Sequence, residues 1–227
     1  MSQVTFDSTL RAELRRWNLP ITPVELRQLH SHFEAVIETN RMMNLTRITD
    51  PEEAAIRHYA DSLALLLWTR DRSVAVRTVL DVGTGAGFPA VPLAVMRSEW
   101  SVTAMDATRK KVEFLARTAA AIGLHNLRTE HAHTAHRPAE QKFDVVATRA
   151  FGPLARCSES GAKFVNPGGW LIMYKTASVG RDEISAAAKL ARKLRMHIEE
   201  PFAYDLQFGG ETLRRMLHVF RYSGKTE

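Results

Sequence analysis

Glycines alternate at Gly83, Gly85 and Gly87, behind Asp81 and the apolar run Thr78-Val79-Leu80 and ahead of Phe88-Pro89. A strand that turns into a helix through such a loop brings backbone close to a ligand, because glycine has no Cβ and takes up φ > 0 without strain. The spacing decides which ligand. A dinucleotide fingerprint reads G-x-G-x-x-G, and Gly87 followed by Phe88 breaks it. The D-x-G-x-G-x-G form is instead typical of S-adenosylmethionine (AdoMet) sites. AdoMet carries a sulfonium and a free amino group but no phosphate, so it has no need of a helix N-terminus and suits a nearby carboxylate.

A second carboxylate supports this reading. Asp106 ends the apolar stretch 101 to 105, 23 positions beyond Gly83, close to the roughly 20-residue offset at which an acidic side chain meets ribose hydroxyls. The competing reading is a local cap for the helix starting near Thr108. Arg149 closes the stretch Phe143 to Ala147 at the carboxyl end of the expected sheet, where ligands of open α/β folds lie. A solvated surface arginine is the alternative there. Lys175 ends Trp170 to Tyr174 on the same edge, placed to meet a phosphate. Arg109-Lys110-Lys111 puts three cations at a helix start, where they oppose the dipole and make an anionic partner attractive; a plain solvated face is the other reading. His131, His133 and His136 mimic a metal site, but with no acidic or thiol ligand in that segment no metal is expected, and the loop is read as lying beside the adenine.

These residues need a scaffold. Thr22-Pro23-Val24-Glu25 has the form of a capping box, and Leu26, Leu29, Phe33, Val36 and Ile37 recur at helical spacing, which predicts a helix over 23–39. Asp50-Pro51-Glu52-Glu53 repeats the start signal ahead of Ile56, Ala60, Leu63 and Leu67. From residue 78 short apolar strands alternate with helical stretches, the mark of βαβ units. Strands are expected at 78–82, 101–105, 127–131, 143–148, 169–175, 197–203 and 215–222, with helices near 89–97, 108–122, 153–164 and 181–194. The fold class is therefore α/β, a doubly wound, mostly parallel seven-stranded sheet with a helical N-terminal extension, 1–70 preceding 71–227 as one continuous unit. Gly209-Gly210 reads as a turn, and the tail 223–227 is expected to fray.

Composition narrows the class. Lys and Arg number 31 against 25 Asp and Glu, a formal charge of +6 that suits a polyanionic partner. The one cysteine, Cys157, excludes an intrachain disulfide and is expected to be an inert packed thiol. No apolar stretch approaches the roughly 18 residues of a spanning helix, and Asp7, Arg11 and Glu13 interrupt any signal-like segment, so a cytoplasmic monomer with no membrane contact is expected.

Further peptides carry a family resemblance: Asn44-Leu45-Thr46, His58-Tyr59-Ala60-Asp61-Ser62, Asp81 to Pro89 with Pro92-Leu93-Ala94, Lys110-Lys111 with Phe114-Leu115, and Arg149-Ala150-Phe151. Together they resemble, over residues 33–222, the glucose-inhibited division protein B (RsmG) family of bacterial methyltransferases, which modify guanine N7 in small-subunit ribosomal RNA. The resemblance implies AdoMet as methyl donor and 16S rRNA or an assembling 30S subunit as partner. It implies that Asp81, Gly83, Gly85 and Gly87 hold the methionine end, Asp106 the ribose, and Phe88 with Thr134 and Ala135 the adenine. Arg149 becomes a cofactor contact beside the incoming nucleotide, and Asn44, His58, Lys110, Lys111 and Lys175, with Arg41, Arg47 and Arg57, face the RNA. Guanine N7 bears no proton, so no general base is expected. The chain departs from the family pattern in three places: His133-Thr134-Ala135 replaces R-x-E, Thr176 replaces the glycine after Lys175, and Arg109 stands where glycine is usual. A methyltransferase acting on a small molecule or protein, or a degenerate AdoMet- or RNA-binding module, would share the glycine-loop half.

Overall fold

The computed structural model describes residues 2–224. Its first element, α1 (Ser2–Arg16), was not expected from the sequence, although Phe6, Leu10, Leu14 and Trp17 form one buried stripe. The helix α2 (Pro23–Met43) starts as its capping box dictates, with Glu25 N–H on Thr22 Oγ1 at 3.2 Å and Thr22 N–H on Glu25 Oε2 at 2.6 Å. It runs past the expected residue 39 to Met43 and stops at Asn44, whose φ of 48° lies in the left-handed region.

Next comes a helix of mixed pitch: α3 (Pro51–Ala54), a π-helical stretch (Ala55–Ala60) and α4 (Asp61–Asp71) follow without a break. Every residue of α4 from Asp61 to Thr69 is buried, so this helix is core rather than surface.

Five parallel strands follow: β1 (Thr78–Val82), β2 (Ser101–Asp106), β3 (Leu127–His131), β4 (Phe143–Arg149) and β5 (Val165–Thr176). The helices α5 (Ala90–Met96), α6 (Arg109–Ala121), α7 (Leu154–Gly161) and α8 (Arg181–Lys193) connect or flank them. The sheet runs β3-β2-β1-β4-β5-β8-β6, with β8 (Glu211–Tyr222) antiparallel to β5 and to β6 (Met196–Ile198), and β7 (Phe202–Phe208) paired to β8. Successive side chains of a strand point to opposite faces. Val79, Val145 and Ile172 accordingly join one apolar layer with the N-terminal helices, while Leu80, Val146 and Leu171 join a second beneath α7 and α8. The first layer extends from Phe6 to Val219, so the helical extension and the sheet share one core.

The sheet has eight strands rather than seven. Pro201, which can donate no ladder hydrogen bond, follows Glu199-Glu200 and divides the expected strand 197–203 into β6 (Met196–Ile198) and β7. Gly209 and Gly210 form the β7–β8 turn with φ of 61° and 79°, the combination two-residue hairpins demand. Fraying does not begin at Ser223, whose N–H and Oγ both bond to the Arg195 carbonyl; residues 225–227 lie outside the described residues.

Aromatic packing docks α1. The Phe6 ring stacks on Phe33 at 5.0 Å and meets Tyr59 edge-on at 4.9 Å, with no solvent exposure. Phe6→Ala is expected to cost about 3 to 5 kcal/mol in urea unfolding, whereas Val4→Ser, at a position 72% exposed, is expected to stay within about 0.5 kcal/mol.

Candidate active site

The glycine loop is tied to the ends of two strands. Gly83 and Thr84 N–H both donate to the Met105 carbonyl, at 2.8 and 3.0 Å, and Gly87 and Phe88 N–H turn back onto the Thr84 carbonyl. At Gly87, φ is 104°, and a Cβ would lie 2.8 Å from Val91 Cγ2 and 2.9 Å from Leu115 Cδ1, so only glycine fits. Asp81, fully buried behind the loop, accepts the Ala90 N–H at 3.1 Å and so joins β1 to α5. Its other oxygen takes no hydrogen bond, and the nearby Thr84 hydroxyl only partly offsets burial, which pushes the carboxyl up to about 7.

Both Asp106 oxygens accept backbone N–H groups. Oδ1 accepts the Thr108 N–H at 2.8 Å, a turn leading into α6, and Oδ2 accepts the Gly85 N–H at 3.0 Å. Each oxygen keeps a further lone pair for a ligand. Gly83, Asp106 and Thr134 line one cleft of about 120 Å³, together with Met105, Ala132 and Phe151. A neighbouring cleft of about 350 Å³ includes His133, Thr134 and Ala135 and shares the Phe151 and Arg156 walls. Phe151 lies directly over the loop, since a Cβ at Gly83 would fall 2.5 Å from its Cδ2. Neither Phe151 nor Arg156 was singled out as a site residue from the sequence, yet R-A-F ends in that phenylalanine.

Phe88 and Arg149 point elsewhere. The Phe88 ring is buried, stacked on His58 at 4.7 Å and 20°, with Tyr59 edge-on at 5.1 Å and the Arg149 guanidinium 5.6 Å above its centre. Arg149 Nε pairs with Asp61 Oδ2 at 2.9 Å, and its Nη2 bonds to the Arg57 carbonyl and to His58 Nδ1, the latter at 3.3 Å. A guanidinium only donates, so His58 Nδ1 accepts and its Nε2–H donates to Thr46 Oγ1 at 2.7 Å. Thus Asn44-Leu45-Thr46, the His58 to Ser62 peptide, Phe88 and Arg149 are distant in sequence but adjacent in space. Asp61, fully buried, also accepts from Arg215 Nε at 3.0 Å and Tyr204 OH at 2.8 Å. Burial opposes its ionisation, but Arg149 and Arg215 outweigh that and hold the carboxyl below its usual range.

The remaining candidates differ in freedom. Lys110 and Lys111 sit in the first turn of α6 with no ion-pair partner among the described residues. Asn44 is the exposed cap of α2. Lys175 is engaged: Nζ bonds to Glu183 Oε1 at 2.7 Å and to the Gly152 carbonyl at 2.6 Å, bracing the loop that carries Phe151. Among the described residues no group of three potential metal ligands gathers, the histidine loop included. Cys157 is buried, and burial pushes its thiol up.

One supporting residue carries no motif. His32, on α2 and fully buried, bonds through Nε2 to the Ala86 carbonyl at 2.8 Å and through Nδ1 to Tyr59 OH at 2.7 Å. The carbonyl can only accept, so the proton is on Nε2 and Tyr59 donates. Burial lowers His32 to about 4, and burial with the Arg149 charge lowers His58 to about 3. Both histidines therefore resist protonation in the fold, and their contribution to stability is lost as pH falls from 6.5 toward those values. Asp81 works in the opposite sense: its raised carboxyl favours the folded state at low pH, and that contribution is lost as pH rises from 3.8 to about 7. Urea unfolding of His32→Gln across this range is expected to show a smaller loss of stability toward acid than the unsubstituted protein. The difference should approach about 1.4 kcal/mol per pH unit between about pH 6 and about pH 4.5.

Known proteins resemble the chain in fold and in sequence. The chain shares its fold with solved methyltransferases: N-methyltransferase NodS from Bradyrhizobium japonicum, determined with S-adenosyl-L-homocysteine, superposes with a TM-score of 0.55 at 13% identity over 85% of this chain and 98% of that one. YcgJ from Bacillus subtilis gives a TM-score of 0.55 at 14% identity, over 73% of this chain and all of that one. In sequence, the chain is 35% identical to the ribosomal RNA small subunit methyltransferase G of Solibacter usitatus, covering 83% of this chain and 88% of the relative. It is 31% identical to that of Lachnoclostridium phytofermentans, covering 88% and 83%. The family model described as GidB, rRNA small subunit methyltransferase G, matches residues 25–202. With a match of that extent, and with the family's separate peptides meeting around Phe88 and Asp61, the chain belongs to the GidB family of methyltransferases.

Proposed function

We propose that the protein transfers the methyl group of AdoMet to N7 of a guanosine in small-subunit ribosomal RNA, acting in the cytoplasm as a monomer. The observation that carries this reading is the cleft formed by Gly83, Asp106 and Thr134 beside the packed cluster of family peptides. The residues fit the donor chemically. Asp81 holds a buried oxygen with no hydrogen bond behind the loop, ready to ionise against a nearby cation, and Asp106 keeps lone pairs for ribose hydroxyls.

AdoMet supplies an electrophilic methyl on a sulfonium when bound. Guanine N7 offers an in-plane lone pair and no proton, so the protein has no proton to move and its task is alignment of the reactants and exclusion of water. Gly83 and Gly85 let the backbone approach the methionine portion, and Thr134 with Ala135 border the adenine side. Arg149 acts from the Asp61 pair as a fixed positive charge beside the acceptor. Arg41, Arg47, Lys110 and Lys111, which take no ion-pair partner among the described residues, are free for RNA phosphates. These free cations favour a polyanionic acceptor over a small molecule or protein, although the donor half would serve either.

Mapping N7-methylguanosine in small-subunit rRNA from cells with and without the gene is expected to show one mark lost with the protein and restored with it. An unchanged map would refute the assignment. Asp106→Ala is expected to weaken AdoMet binding by about 1 to 3 kcal/mol in calorimetry; undiminished affinity would leave that carboxylate only its two backbone partners.

A further inference from the structure

A further cleft opens at the carboxyl edge of the sheet, with Arg149 in its wall. Its volume is about 460 Å³, within the usual range of small-ligand sites, and four arginines line it: Arg57, Arg149, Arg214 and Arg215. Five separate parts of the chain converge there: Ile48 ahead of α3, the π-helical stretch, the end of β4, the end of β5 at Thr176, and the β7–β8 hairpin.

Its charge is unbalanced. Arg149 and Arg215 share the one carboxylate of Asp61, so a positive charge remains uncompensated where both guanidinium groups are largely withdrawn from water, at 12% and 24% exposure. The other two arginines have half-buried partners at the surface. Arg57 lies 3.1 Å from Glu53, and Arg214 lies 3.6 Å from Asp205. Surface pairs of this kind contribute about 0 to 1 kcal/mol and exchange readily for another anion. Arg47, next to the lining residue Ile48, is exposed with no ion-pair partner among the described residues. Below the charged rim, Ile48, Leu206 and Leu213 supply an apolar wall, and Thr176 and Thr212 add hydroxyls.

We propose that this cleft holds a nucleotide of single-stranded RNA flanking the methyl acceptor, with its phosphate on the arginines and its base against Ile48, Leu206 and Leu213. The apolar wall requires an unstacked base, which a duplex does not offer and a loop or strand end does. The arginines set position rather than sequence, because phosphate contacts carry no base information. The locked Asp61 network fixes Arg149 and Arg215 in advance, so the RNA orders only the exposed arginines on binding. This inference rests on the reading of the protein as an RNA methyltransferase and goes beyond it by placing the strand on the β7–β8 hairpin side.

The test uses the full chain with Arg57→Ala and Arg214→Ala combined, changes that remove side chains outside the AdoMet cleft and leave the Arg57 carbonyl that Arg149 bonds in place. Binding of naked small-subunit rRNA, and of a single-stranded RNA oligonucleotide from it that carries the methylated guanosine, is measured from about 50 to about 200 mM salt, with AdoMet affinity measured by calorimetry. The double variant is expected to bind RNA about tenfold more weakly, with a salt slope reduced by about 1.4, two single-strand phosphate contacts at about 0.7 each. AdoMet affinity should be unchanged, and Arg57→Lys with Arg214→Lys should restore most of the slope. RNA binding and slope unaltered by the double substitution, while the unsubstituted protein binds and methylates RNA, would overturn the placement alone. An unsubstituted protein that binds AdoMet but no RNA would overturn both the placement and the rRNA reading.

Discussion

Asp61 is a carboxylate with no solvent exposure, held by two arginines and a tyrosine from three different strands. An ionised group in that position is costly unless paired, and removing either side of such a pair leaves a buried charge stranded. The arrangement therefore works as an assembly condition. The helix that begins at Asp61 packs correctly only when Arg149 from β4, Arg215 from β8 and Tyr204 from β7 reach it together. From that point the chain of contacts continues outward: Arg149 fixes His58, His58 stacks on Phe88, and Phe88 closes the glycine loop. The geometry of the loop is thus held from the helical side of the molecule as much as from the sheet.

This explains why the N-terminal helices cannot be regarded as an accessory to a methyltransferase sheet. His32 reaches from α2 to the Ala86 carbonyl in the middle of the glycine loop, and Tyr59 orients it from the π-helical stretch. Chemistry that moves no proton places its whole demand on alignment, and alignment is what a buried, neutral, doubly bonded imidazole provides. Two histidines show this: His32 and His58 are kept neutral by burial and serve as struts, while His133 and His136 lie in an exposed loop.

Local signals were readable from the sequence where a short peptide decides its own conformation. The capping box at Thr22, the Gly209-Gly210 turn and the strand-to-helix glycine loop all stand where the residues dictate. The parallel order of the sheet followed from the alternation of strands and helices. What was not readable depended on partners far away. Helix α1 has a clear apolar stripe, but the partners of that stripe, such as Phe33 and Tyr59, lie far along the chain. The break at Pro201 creates an additional strand because β8 is long enough to pair with both pieces. In the site, Gly83, Asp106 and Thr134 meet in one cleft, but the inward turn of Phe88 and Arg149 could be read only once Asp61 and His58 were known to lie beside them. Arg156 and His32 carried no spacing signal, and Phe151 only its place at the end of R-A-F, since each meets the loop or the cleft through contacts brought by the fold.

The π-helical stretch Ala55–Ala60 sets a constraint of a different kind. A π turn accommodates one residue more than the α-helix into which it is inserted. Deleting that residue would return the helix to ordinary pitch and rotate everything on one side of it by about 100°, with a shift of about 1.5 Å. Arg57 and His58 on the stretch, and Asp61 just after it, all meet the same guanidinium, so no such rotation leaves all three in place. A substitution in this segment leaves the register of the helix intact, whereas a change of length cannot, because the chain offers no step smaller than a whole residue. The segment behaves as a gear tooth: its spacing admits one register, and a deletion or insertion is tolerated only with a second, compensating one nearby.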